Sequence, residues 1–86
     1  MKPESWRQQR YDEVFEAVVE RTRQRRARDP DFTVARLTEL LETEYVNQGN
    51  DWIGRGALRE VTQAATIAAY ERVLTEWRAE EDAAGK

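Results

Sequence analysis

Five arginines fall within eight residues, Arg21, Arg23, Arg25, Arg26 and Arg28, with no acid among them. Guanidinium groups at this density could neutralise several phosphates, and release of condensed counterions would make such binding salt-dependent. A plainer reading is that they answer the negative end of a helix dipole and stay solvated. The plainer reading is favoured, because no aromatic side chain interleaves with the arginines to stack on bases. The wider charge distribution is uneven. Residues 1–28 hold eight Lys/Arg against five Asp/Glu, and residues 29–86 hold six against twelve, within a net charge of −3. That asymmetry fits a basic ligand patch or self-complementary faces in an oligomer.

A second site of potential chemistry is Gly54-Arg55-Gly56, which stands just ahead of an expected helix start. Free amides there, with a flexible backbone and a guanidinium, could cradle a phosphate or carboxylate. A lone Gly-x-Gly is common, however, and no strand precedes it as a dinucleotide fold requires. The alternative is structural: the glycines turn the chain while Trp52 and Ile53 plug one end of a bundle. Two familiar motifs fail on this stretch. A calcium loop beginning at Gly49 would put Gly54 sixth and Glu60 twelfth, but its first and fifth ligands would be Gly49 and Ile53, which lack side-chain oxygens. A DNA-reading helix-turn-helix needs a shorter turn, and Glu60, Gln63 and Thr66 make a poor phosphate surface.

Enzymatic chemistry is disfavoured by absences. The sequence contains no Cys and no His. That removes thiolate nucleophiles, disulfides, thiolate metal sites and the usual neutral-pH general base. Glu13, Glu16 and Glu20 share a polar helix face, and Glu39, Glu42 and Glu44 border an apolar stripe, so no carboxylate pair is set for perturbed acid–base work. Neither a cofactor nor a metal is expected.

The elements that must position these residues are helical. With 86 residues, 40% hydrophobic and 36% charged, the chain suits a single helical domain over 1–86. It shows neither a long apolar span nor a leader pattern, which points to a cytoplasmic protein away from membranes. The first helix is expected over about 6–27. Ser5 and Gln8 would form its capping box, Tyr11, Val14, Phe15, Val18 and Thr22 its apolar stripe, and Asp29-Pro30 its end. Trp6 lies off that stripe and must pack elsewhere or be exposed. The second helix is expected over 34–47, capped by Thr33 and stapled by Phe32 onto Leu37. Val34, Leu37, Leu40, Leu41 and Tyr45 form its buried face, and Gly49 would close it. The third is expected over 57–79, with residues 80–86 fraying, because Glu80-Glu81-Asp82 set negative charge at the negative end of the dipole.

The apolar surface of the third helix changes sides. Leu58, Val61, Ala65 and Ala68 line one face, and Ile67, Tyr70, Val73, Leu74 and Trp77 line another. Either this helix is central and touches both others, or its second face docks onto another chain. The expected fold is all-α: a small antiparallel three-helix bundle with a Gly-rich loop before a long central third helix. The function it suggests is a non-enzymatic interaction module that pairs with itself or with another protein through Ile67, Tyr70, Leu74 and Trp77. An anion- or nucleic-acid-binding accessory role for Arg21–Arg28 with Arg55 is the alternative.

Overall fold

In a computed structural model of the protein, the described residues are 4–50 and 56–85, with the side chains of residues 4, 5, 49 and 50 left aside. They form three helices and no strand: α1 (Glu4–Arg28), α2 (Val34–Asn50) and α3 (Ala57–Ala84). Both α1 and α2 pack on α3, α1 the more extensively, and among the described residues the backbones of α1 and α2 do not closely approach each other.

Local chemistry sets most of the boundaries. Pro30 cannot continue α1 in register. The chain instead turns tightly, with Phe32 N–H donating to the Asp29 carbonyl at 3.0 Å and Asp31 N–H to the Asp29 carboxylate at 3.0 Å. The Thr33 carbonyl accepts from Leu37 N–H at 3.0 Å, and its hydroxyl accepts from Arg36 N–H at 3.4 Å, so Thr33 caps α2. Gly56 precedes α3 at φ +89°, a left-handed conformation that favours glycine.

Three boundaries differ from those read in the sequence. The first helix begins at Glu4, so Ser5 lies in its first turn rather than capping it. The second runs through Gly49 to Asn50, so that glycine does not close it. The third continues to Ala84 through the acidic tail expected to fray. Glu80 there pairs with Arg26 of α1 at 3.3 Å, and within the helix end Gly85 N–H donates to the Glu81 carbonyl at 2.9 Å.

The core is concentrated toward one end. Val18 and Val19 of α1, Phe32, Leu37 and Leu41 meet Ile67, Ala69, Val73, Leu74 and Trp77 of α3. Leu37 and Val73 are fully buried. The buried Thr22 hydroxyl donates to the Val18 carbonyl at 2.7 Å, which satisfies the one polar side chain recorded inside.

Candidate functional site

The face proposed from the sequence as an interface lies inside the chain. Ile67 and Leu74 are buried, Trp77 is only 2% exposed, and Tyr70 packs partly buried against the same cluster. Ile67, Leu74 and Trp77 are core, and Tyr70 sits half-buried at its edge. Burying Ile67, Leu74 and Trp77 removes far more apolar area from water than burying the alanines of the opposite face, so the larger side chains take the interior.

The arginines are largely committed as well. Arg23 donates twice to the Glu76 carboxylate, at 2.8 and 2.7 Å, and Arg72 joins the same carboxylate at 3.1 Å. The Arg23 hydrogen bond holds the Glu76 carboxyl below the usual carboxylate range, against a smaller opposing effect of burial. The Arg25 guanidinium sits 4.3 Å from the Phe32 ring centroid and that of Arg26 sits 4.4 Å from the Trp77 ring. The two rings meet edge-to-face at 5.7 Å. A cation–aromatic stack thus ties the end of α1 to the α1–α2 turn and to α3. Only Arg21 and Arg28 of the run have no such contact recorded, and both are exposed. Arg23 and Arg25 are exposed as well and Arg26 is half-buried, so what distinguishes these three is their ion-pair and ring contacts rather than burial.

Of the Gly54-Arg55-Gly56 cradle, Gly54 and Arg55 lie outside the described residues, as do Trp52 and Ile53 of the end-plug reading. Gly56 is exposed, and among the described residues other than its chain neighbour no atom lies within 4 Å of where its Cβ would stand. Among the described residues no cluster of acidic side chains could hold a metal ion, and no helix is long and apolar enough to cross a membrane.

The surface that remains is one the sequence reading passed over. At the end of the molecule away from the core, α1 and α3 enclose an open groove of about 470 Å³, with Arg7, Gln8 and Tyr11 on one wall and Glu60, Val61 and Ala64 on the other. No α2 residue lines it. Tyr11 is held in the α1 wall by stacking on Phe15, ring centroids 6.3 Å apart. On the same stretches of α3 and α1, Leu58 is 54% exposed and Trp6 is 40% exposed, with the Arg7 guanidinium 5.5 Å from the Trp6 ring centroid. None of α1 from Trp6 to Ala17, nor of α3 from Ala57 to Ala64, is fully buried. The signal was in the sequence: Leu58 and Val61 are apolar, while the first turns of α3 contribute none of its larger core residues.

The chain matches no protein-family model, no curated protein and no solved structure.

Proposed function

We propose that this chain is a non-enzymatic, cytoplasmic interaction module that docks a protein helix in the α1–α3 groove. One observation carries the reading. Val61, Ala64 and Tyr11 line an open groove between α1 and α3. A groove between two helices suits a third amphipathic helix. The absence of Cys and His supports a role in binding rather than catalysis, and a setting without oxidative cross-links.

The helix directions belong to the same proposal. Arg7 and Tyr11 share the groove with Glu60 and Ala64, and farther along Arg23 meets Glu76 and Arg26 meets Glu80. These pairings support α1 and α3 running the same way. Phe32 against Trp77 and the Tyr45 hydroxyl donating to Glu71 support α2 running opposite to both. The bundle is then up–down–up, antiparallel between successive helices, with Gly56 supporting the chain reversal before α3.

A photo-crosslinking side chain tests the groove. Benzoylphenylalanine in place of Ala64 is expected to give a protein adduct in an extract of the expressing cells, lost on Val61→Glu. The same group in place of Thr43, on the outer side of α2, is expected to give none. Equal labelling from both positions would contradict the reading.

A further inference from the structure

We infer that the occupant of the α1–α3 groove is a second copy of this chain, related by a two-fold axis running along the groove. The inference rests on the groove being a docking surface, and it adds what docks there. Two independent observations carry it.

The first is charge complementarity. The α1 wall carries a cation, Arg7, and the α3 wall carries an anion, Glu60, across an apolar floor of Tyr11, Val61 and Ala64. A two-fold axis along the groove lays α1 of one copy over α3 of the other. It sets each Arg7 against the Glu60 of the opposite copy, twice per dimer. The same patch serves both partners, as an isologous contact requires. A two-fold axis across the groove would instead set α1 on α1, bringing Arg7 and Arg10 of one copy toward those of the other.

The second is surface area. The chain exposes 6368 Å², roughly 1,100 Å² more than a compact monomer of 10.1 kDa should. Its radius of gyration is 14.8 Å, against about 12 Å for a compact chain of this length. A standard interface buries about 800 Å² from each partner. Pairing along the groove would cover surface of that order, by completing a four-helix layer from two helices of each copy. The inner surface of that layer would hold Val61, Ala64 and Tyr11.

Charge reversal tests both the partner and the axis. Gel filtration with light scattering is expected to give twice 10.1 kDa for the wild-type chain at millimolar concentration. Arg7→Glu alone sets two carboxylates against each other at both contacts, and Glu60→Arg alone sets two guanidinium groups there. Each is expected to weaken self-association about tenfold or more, with unchanged helical circular dichroism. Mixing the two variants restores opposite charge at one of the two contacts while the other pairs the substituted side chains, again with opposite sign. The mixture is therefore expected to form a heterodimer more tightly than either variant associates with itself. Single variants that dimerise like wild type, or a mixture that stays monomeric, would overturn the axis and the proposal with it. A wild-type chain that is monomeric at millimolar concentration also overturns the second copy as occupant. In that case, a crosslinked adduct of another protein at position 64 leaves the docking groove standing with a different partner. No adduct at all removes both.

Discussion

The two ends of this molecule are built from the same helices, but among the described residues only one end closes into a core. There Val18 and Val19 of α1, Leu37 of α2, and Val73, Leu74 and Trp77 of α3 meet. At the other end Tyr11, Val61 and Ala64 are half-buried and Leu58 is exposed, and no described α2 residue lines the groove between α1 and α3. The contrast teaches that a small bundle can place its stability at one end and leave the other for binding. An 86-residue chain has only a modest core to distribute, and here it is not spread along the helices.

The largest effect that should separate the ends is a core truncation. Trp77→Ala removes a buried ring together with its contacts to Phe32 and Arg26. It is expected to destabilise by about 3–5 kcal/mol, read as a fall in denaturant midpoint, and a marginal domain would be largely unfolded. Leu58→Ala at the open end is expected to change monomer stability by less than about 0.5 kcal/mol while weakening association. Similar stability losses at both positions would erase the contrast. The Leu58→Ala comparison is made at concentrations where the chain is monomeric, since association itself adds apparent stability.

A smaller effect sharpens the picture of how the finished end is tied together. Arg25→Ala deletes the cation over Phe32 and is expected to cost about 0.5–1 kcal/mol, measured by urea titration. Arg21→Ala, an exposed change with no comparable contact recorded, is expected to cost nothing measurable. If the two substitutions prove equal, the stack is ornamental. Neither is expected to alter retention on a nucleic-acid matrix at physiological salt. Tight, salt-resistant retention lost with Arg25 and Arg26 would return the arginines to a binding role.

The smallest expected effect is in acid. Because Arg23 holds the Glu76 carboxyl below its usual range, the pair stabilises the folded chain above the ordinary carboxylate pKa. That contribution is lost as pH falls through the lowered value. The melting temperature of Glu76→Gln should therefore lie slightly below wild type at neutral pH, and the two should converge in strong acid. A gap that persists unchanged into strong acid would mean that packing, not ionisation, sets it.

What was legible in the sequence follows what is local. Pro30 after Asp29, Thr33 ahead of Val34, and the apolar spacing of Val14, Phe15, Val18 and Thr22 are local signals, and three helices follow from them. The stripe omitted Val19, which is buried because α3 presents a wide apolar surface rather than a narrow seam. What covers each face of α3 was not legible, because a face has no label saying whether its partner is in the same chain. The spacing left two outcomes open for the Ile67–Trp77 face, a central helix that touches both others or a docking surface. In the structure Ile67, Val73, Leu74 and Trp77 are core with Tyr70 half-buried beside them, while on the other face Ala65 is buried, Val61 and Ala68 are half-buried and Leu58 is exposed. The arginines were equally opaque. Five neighbouring cations look like one patch, yet Arg23 and Arg26 find their carboxylates at Glu76 and Glu80, more than fifty residues on. The acidic tail of α3 looked ready to fray for the same reason, its partner Arg26 being invisible to local rules.

Hydrogen exchange at increasing protein concentration tests the contrast between the ends most directly, because it reports each helix segment separately. At low concentration, the amides around Ala69, Val73 and Trp77 are expected to exchange slowly and those of residues 57–64 and 7–15 faster. Raising the concentration should slow only the second set, as the open end finds its partner, and Arg7→Glu should abolish that slowing. Concentration-dependent protection appearing instead at residues 67–77, or none anywhere along the chain, would contradict the assignment of one end to folding and the other to association.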